Sequence, residues 1–379
     1  MRKLLLWLIC LCLLLEQDRL EALAKNGEEP CPINLFSPPD EELPGEYPAG
    51  YNASARIGTD PYGLFADASF IYWNVNEVYL DFGRSALYTD TLSVPEATAQ
   101  VAFHTPSYRP GFQVGIGCVS DYDDWCIGAR YTWINQTNNA KAGSIPQAVA
   151  VGQKIWIPNE WFVNLSSDKQ QQAVQLTSKW DASVQYLDVL LSRPHYQGYL
   201  LTVTPTAGLR ALWIGQRMEV NAVLAAALTE APAVSVTRSQ MWSIGPALGA
   251  ELHWLLGKGI RIETSGALSL LYSRFGNLNH RESFNSEITD TQPLAGHFPS
   301  HATINTTFEA DLGLGWGTYT GRSNRSHFDL SAAYHFAIFS QQNKPREIVG
   351  YFANNDIGYS NPIGDLFLQG LTVKLQLDF

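Results

Sequence analysis

The feature that most constrains this chain is a period-two alternation that comes in pairs, each pair folded about a short polar turn. Around Ser120 to Asp124, Phe112, Val114, Ile116 and Cys118 alternate with Gln113, Gly115 and Gly117. After the turn, Trp125, Ile127, Ala129, Tyr131 and Trp133 alternate with Cys126, Gly128, Arg130 and Thr132. Successive side chains on a strand point to opposite faces, so each such strand has one apolar face and one small or polar face. Trp242, Ile244, Leu248, Leu252 and Trp254 lead in the same way into a turn at Leu255 to Gly259, and Ile260, Ile262, Leu268, Leu270 and Tyr272 lead out of it. A third turn, Gly321 to Arg325, joins Phe308, Leu312, Leu314 and Trp316 to Phe328, Leu330, Tyr334, Phe336 and Ile338.

Two further strands flank Arg193 to Gln197. The earlier one sets Trp180, Ala182, Val184 and Tyr186 against Lys179, Asp181, Ser183 and Gln185, then falls out of phase at Asp188. A β-bulge near Tyr186 is the expected repair. The later strand is interrupted by Pro205 and ends with Leu209, Ala211 and Trp213 against Arg210. In the last nine residues Leu371, Val373, Leu375, Leu377 and Phe379 alternate with Thr372, Lys374, Gln376 and Asp378. A final strand closing on an aromatic looks like the assembly signal of outer-membrane barrels, which makes a barrel-assembly machinery an expected partner.

A soluble β-sandwich also alternates. Here, however, the apolar face runs for about nine to twelve residues, close to the span of a tilted membrane strand. The other face is rich in Gly, Ser and charge, which suits a lumen better than a second packed sheet. Lipid leaves no backbone group unpaired, so such a sheet closes on itself. The expected fold is therefore all-β, a closed antiparallel transmembrane barrel in outer-membrane lipid. It has about ten strands, near residues 64–73, 108–119, 125–134, 178–191, 198–214, 239–254, 260–275, 304–318, 326–340 and 366–379. Twelve is the alternative count, if Val78 to Tyr88 hides another pair. The long connections (74–107, 135–177, 215–238, 276–303 and 341–365) belong outside the cell and the short turns in the periplasm.

That orientation sorts the tryptophans. Trp73, Trp133, Trp180, Trp213 and Trp242 fall at the long-loop ends of their strands, and Trp125, Trp254 and Trp316 at the turn ends. Amphipathic rings favour the headgroup level, so these eight are the expected girdles. The alternate face gives the lumen its charge: Asp67, Arg130, Lys179, Asp181, Arg210, Glu251, Arg261, Glu263, Glu309, Asp311, Asp329, Lys374 and Asp378. Five of these are basic and eight acidic, so any ion preference is expected to be weakly cationic.

At the N-terminus Arg2 and Lys3 precede an apolar block from Leu4 to Leu15, with Ala22-Leu23-Ala24 following. A basic start, a short apolar core and an Ala-x-Ala site read as a signal peptide over residues 1–24. Residues 25–60, rich in Pro, Glu and Gly, read as a flexible periplasmic lead-in, with the barrel spanning 61–379. The net charge of −11 argues against nucleic acid, which needs a basic footprint. Beyond the signal, Cys31, Cys118 and Cys126 remain. Two readings stay open for them: inert thiols, or a second copy of the chain crosslinked through Cys31.

Several short segments resemble the pore-forming major outer-membrane proteins of the Legionella type, a family also found in chlamydia-like bacteria. They are Ala68-Ser69-Phe70-Ile71-Tyr72-Trp73, Pro110 to Gly117 leading to Asp124-Trp125, and Tyr131-Thr132-Trp133. Leu187-Asp188-Val189, Pro205 with Gly208-Leu209-Arg210, Gly245 to Gly249 and Leu312 to Trp316 extend the likeness over most of residues 64–379. The resemblance implies a porin-like role, with small hydrophilic solutes or ions as cargo and no cofactor. The alternative is a surface-exposed structural or adhesive barrel with a closed lumen, and conductance separates the two. An enzyme is not expected. No nucleophile, base and orienter fall together and no metal spacing is present, while His280, His297 and His301 read as solvated loop residues.

Overall fold

The computed structural model describes residues 62–378 apart from 89–93, 96–97, 121–124, 159–171, 198–199, 226–227, 229–231, 258, 277, 284–293, 321–325 and 343–363. The signal peptide, the N-terminal lead-in with Cys31, and Phe379 lie outside the described residues. The strands in chain order are β1 (Tyr62–Glu77), β2 (Asp81–Leu87), β3 (Val94–Pro95), β4 (Val101–Phe103), β5 (Tyr108–Ser120) and β6 (Cys126–Gly143). There follow β7 (Lys154–Pro158), β8 (Ala173–Ser192), β9 (Tyr196–Gln197), β10 (Leu201–Leu224), β11 (Ala233–Gly257) and β12 (Ile260–Phe275). The last are β13 (Leu278–Ser283), β14 (Leu294–Phe298), β15 (His301–Thr320), β16 (Ser326–Phe339) and β17 (Leu366–Asp378).

Ten of these form a ring in the order β1, β5, β6, β8, β10, β11, β12, β15, β16, β17, with every neighbouring pair antiparallel. β17 closes it on β1, from Phe65 opposite Asp378 to Glu77 opposite Leu366. Closure leaves no spanning edge whose backbone groups would face lipid unpaired. The segment Val78 to Tyr88 does hold a strand, β2. It pairs with β3, β4 and β7 instead of entering the ring, so the count is ten and not twelve.

The wall is taller on one side. β6, β8, β10 and β11 run for 18, 20, 24 and 25 residues, against 13 for β5 and β17 and 14 for β16. A tilted spanning strand needs about 9–11 residues, so the excess stands beyond the lipid at the long-connection end. Residues 135–143, 173–177, 215–224 and 233–238, expected as loops, are therefore strand.

The expected bulge near Tyr186 is absent. β8 pairs with β10 without a slip from Ser192 to Gln175, and the shift in register falls at Val223/Leu224. Asp188, Tyr186, Val184, Ala182 and Trp180 thus share one face, and all are buried inside the barrel.

The interior has two layers. At the short-turn end it is polar. Toward the long connections it is filled by one apolar core, which includes Ile71, Trp73, Ile134, Leu176, Trp180, Val184, Leu212, Leu271, Phe339 and Leu368. Its members come from eight of the ten ring strands, and β2 and β7 add Phe82 and Trp156. Burying each large apolar side chain contributes roughly 1.5–3 kcal/mol, so this layer both stabilises the fold and fills the bore at that level.

Candidate functional site

Beneath the apolar layer, charged side chains meet across the lumen. Arg210 on β10 donates from Nε and Nη2 to both carboxylate oxygens of Asp188 on β8, at 2.6 and 2.8 Å. It also holds Glu309 on β15, three strands further round, with Nη2 2.9 Å from Oε2 and Nη1 bonded to Oε1. The guanidinium lies 4.9 Å from the centre of the Tyr186 ring, an apolar-core residue, so this fork is the floor of that core. A planar fork suits two carboxylates at once in a way an ammonium does not.

Nearer the short turns, Arg261 on β12 reaches Asp329 on β16 (2.5 and 2.9 Å) and Glu263 (2.9 Å). Arg130 on β6 lies 3.6 Å from Asp67 on β1. Both contacts pass over an intervening strand where the facing residue is glycine. A Cβ at Gly115 would fall 2.0 Å from the Asp67 carboxylate, and one at Gly315 2.5 Å from the Arg261 guanidinium. His335 bonds Asp311 at 2.8 Å and stacks under Trp73 at 4.2 Å, while Trp73 Nε1 donates to Thr372 Oγ1 at 3.0 Å. His327 bonds Asp378 at 3.0 Å.

Space remains around these contacts. A chamber of about 260 Å³ opens at the short-turn end, lined by Asp67, Arg130, Asp188, Glu251, His253, Arg261, Asp329, Lys374 and Asp378 among others. A second cavity of about 130 Å³, lined by Glu263, Glu309, Asp311 and His335, shares Arg130, Asp188, Glu251, His253 and Lys374 with the first. Lys374 and Glu251 belong to none of the ion pairs above and face both spaces.

Eleven of the thirteen charged residues assigned to the lumen line these cavities or are buried beside them. Lys179 and Asp181 do not. They point outward, pair with each other at 3.2 Å and sit on the part of β8 that rises above the lipid. Asp188, missed because of the supposed bulge, takes a place in the lumen set. Of the eight tryptophans, Trp125, Trp133, Trp213, Trp242, Trp254 and Trp316 lie on the outer face, with Trp213 directly opposite Trp242 and Trp133 stacked on Phe112 at 5.5 Å. Trp73 and Trp180 do not belong to a girdle: both are fully buried inside the bore. Of the β17 residues expected to carry the assembly signal, Leu371, Leu375 and Leu377 are exposed outward in phase with Val373.

Outside the membrane span two histidines are buried among the described residues. His104, immediately after β4, bonds Ser178 at 2.8 Å, and burial holds its imidazole down at about 4. His280 on β13 is not solvated as expected: it bonds Thr237 and Glu282, each at 2.8 Å. Its position on a strand facing inward, invisible in an irregular polar stretch, explains the difference. His301 does lie exposed, stacked on Phe275.

Residues 66–379 match the family model described as the Legionella pneumophila major outer membrane protein precursor. The chain belongs to that family. It is a protein of the cell outer membrane, and barrels of that membrane set their long connections outside the cell and their short turns in the periplasm. No curated protein matches the chain. Among solved structures, the outer membrane protease OmpT from Escherichia coli shares 10% identity at a TM-score of 0.40, covering 86% of this chain and 99% of its own. A major outer membrane protein from Thermus thermophilus shares 9% at 0.28, covering 84% and 100%. The Pseudomonas putida toluene transporter TodX shares 7% at 0.25, covering 87% and 91%. At such identities, what those proteins do remains a property of those proteins.

Proposed function

We propose that this barrel is porin-like and passes small hydrophilic solutes or ions across the outer membrane. One observation carries the reading. The periplasmic half of the bore is a charged chamber of about 260 Å³, continuous through shared lining residues with a second cavity above it. A barrel that served only as a wall would be expected to fill this space with side chains, as small barrels do. The lumen carries Arg130, Arg210, Arg261 and Lys374 against Asp67, Asp188, Glu251, Glu263, Glu309, Asp311, Asp329 and Asp378. Four bases against eight acids give a preference for cations.

Passage requires the apolar layer above the chamber to part. The strands β2 and β7, which bring Phe82 and Trp156 into that layer from the long connections, are the movable pieces of it. Conduction is therefore expected as rare, small, discrete openings. A second reading is favoured by the same layer: Ile71, Ile134, Val184, Leu212 and Leu368 are completely buried, so the bore stays shut and the loops carry the function. Single-channel recording of refolded full-length protein in planar bilayers decides between them. Cation-selective steps support the pore. A silent protein, including when Phe82 and Trp156 are both replaced by Ala, establishes the closed barrel.

A further inference from the structure

The outer face of the wall is charged on one side only. On β15, β16, β17, β1 and β5 the outward-facing described residues include no charged side chain. On the taller side, from β6 to β13, basic residues gather above the outer tryptophan row. Arg217 on β10 stands directly opposite Arg238 on β11. Arg281 on β13 faces Val236, one diagonal step from Arg238, and Arg274 on β12 faces Trp242 at the level of the girdle itself.

Only part of this charge is balanced within the protein. Arg217 bonds Glu219 at 2.7 Å and Lys179 bonds Asp181 at 3.2 Å. Arg238, Arg274 and Arg281 have no carboxylate partner among the described residues. Like charges directly opposite on neighbouring strands destabilise a sheet. The fold nonetheless sets Arg217 beside Arg238 in a chain whose net charge is −11. Asp181 opposite Arg217 on β8 and Glu219 bonded to it meet that residue's charge, so the charge left to an anion held from outside is that of Arg238, Arg274 and Arg281. A second copy of this chain meeting the patch about a two-fold axis brings arginine to arginine and makes the repulsion worse.

We propose that the arginines of β10, β11, β12 and β13 form a binding site for the phosphate-bearing headgroup of an outer-leaflet lipid, seated just above Trp213 and Trp242. The position decides the occupant. These side chains project away from the bore, Arg274 level with the tryptophan row that marks the headgroups and Arg217, Arg238 and Arg281 on the strand lengths just beyond it, and guanidinium groups take phosphate oxygens in pairs. The lipid's chains run down the apolar face below, over Ile244, Leu248, Leu268 and Leu270.

The test uses refolded full-length protein in nanodiscs doped with diphosphorylated lipid A or with its dephosphorylated form, and native mass spectrometry to read bound lipid. The expected result is retention of the phosphorylated form alone. Each basic side chain near an anionic lipid surface contributes roughly a factor of five, so Arg238→Gln with Arg281→Gln weakens retention about 25-fold. Arg217→Gln with Arg274→Gln, an independent pair on flanking strands, weakens it similarly, and Lys141→Gln on β6 leaves it unchanged. Heat-modifiable gel mobility reports that each variant is folded. Equal retention of the dephosphorylated lipid, or undiminished retention in both double variants, overturns the proposal. Displacement of the lipid by inorganic phosphate alone overturns the lipid as the source and leaves a site for free anions.

Discussion

At the scale of single residues, one rule accounts for both the readings that hold and those that fail. Periodicity assigns an apolar side chain to the lipid face, which is right wherever the bore is lined by charge. Leu248, opposite Leu268 on the outer face, and Ser265, bonded to Asp311 in the lumen, obey it. An arginine at Leu248, near the bilayer midplane, is expected to cost about 2–4 kcal/mol, and one at Ser265 much less. Gly249 is a poorer control, since a Cβ there meets the Gly266 carbonyl at 2.6 Å. Urea unfolding in liposomes measures both, and equal cost at the two sites would mean the faces are reversed. Where the bore is apolar the rule inverts, and Trp73 and Trp180 are inside. Parity alone places them there. Trp73 is six residues from Asp67 and Trp180 eight from Asp188, so each shares a face with a carboxylate that cannot point into lipid. The Arg210 fork yields a second expectation. Arg210→Met strands Asp188 and Glu309 as buried charges and costs about 3–5 kcal/mol, whereas replacing all three by apolar residues of similar volume recovers most of that loss. A triple variant no more stable than the single one would refute this account.

At the scale of elements, strand existence was legible and strand length was not. Alternation survives wherever one face meets lipid, which is why all ten ring strands were found from periodicity. Above the lipid both faces change character. The upper β8 turns Lys179 and Asp181 outward and Trp180 inward, and the pattern reads as a slip instead of a continuing strand. The hairpin of β5 and β6 gives a sharper test of register. Cys118 stands opposite Ile127 and Cys126 opposite Val119, so the two thiols leave opposite faces and are not bridged. A disulfide needs Cβ atoms about 3.5–4.5 Å apart. Peptide mapping of unreduced protein is expected to show no Cys118–Cys126 link, and finding one would displace the hairpin by a residue. β4 carries a pH expectation. His104, held at about 4 by burial, is neutral in the folded protein and regains its ordinary value of about 6.5 when β4 detaches. A depressed histidine stabilises least in acid. The docking of β4 is fully supported above about pH 6.5 and weakens as pH falls toward 4, by up to about 3 kcal/mol. Limited proteolysis of that connection at pH 7 and pH 5 checks the sign, with His104→Gln expected to remove the difference.

At the scale of the whole molecule, the barrel is two layers stacked on one ring: a charged half with open cavities at the short-turn end and a closely packed, largely apolar half beneath the long connections. The sequence showed the charge of the first because carboxylates and arginines alternate with lipid-facing residues at fixed parity. It concealed the second, because apolar residues on an inner face look the same as apolar residues on an outer one. The distinction matters for transport. If the apolar half is the gate, its weakest members are those supplied from outside the ring. Phe82 and Trp156 reach it from β2 and β7, which pair with each other and are held to the ring through Trp156 opposite Ala173. Replacing both by Ala removes about 3–5 kcal/mol of packing at each site, yet it leaves every ring hydrogen bond intact, so the barrel should still assemble. Open probability in single-channel records should rise in the double variant, while the size of each open step, set by the charged chamber below, stays the same. A larger step with unchanged open probability would instead place the constriction among Arg210, Asp188 and Glu309, and the apolar layer would then be a structural core and not a gate.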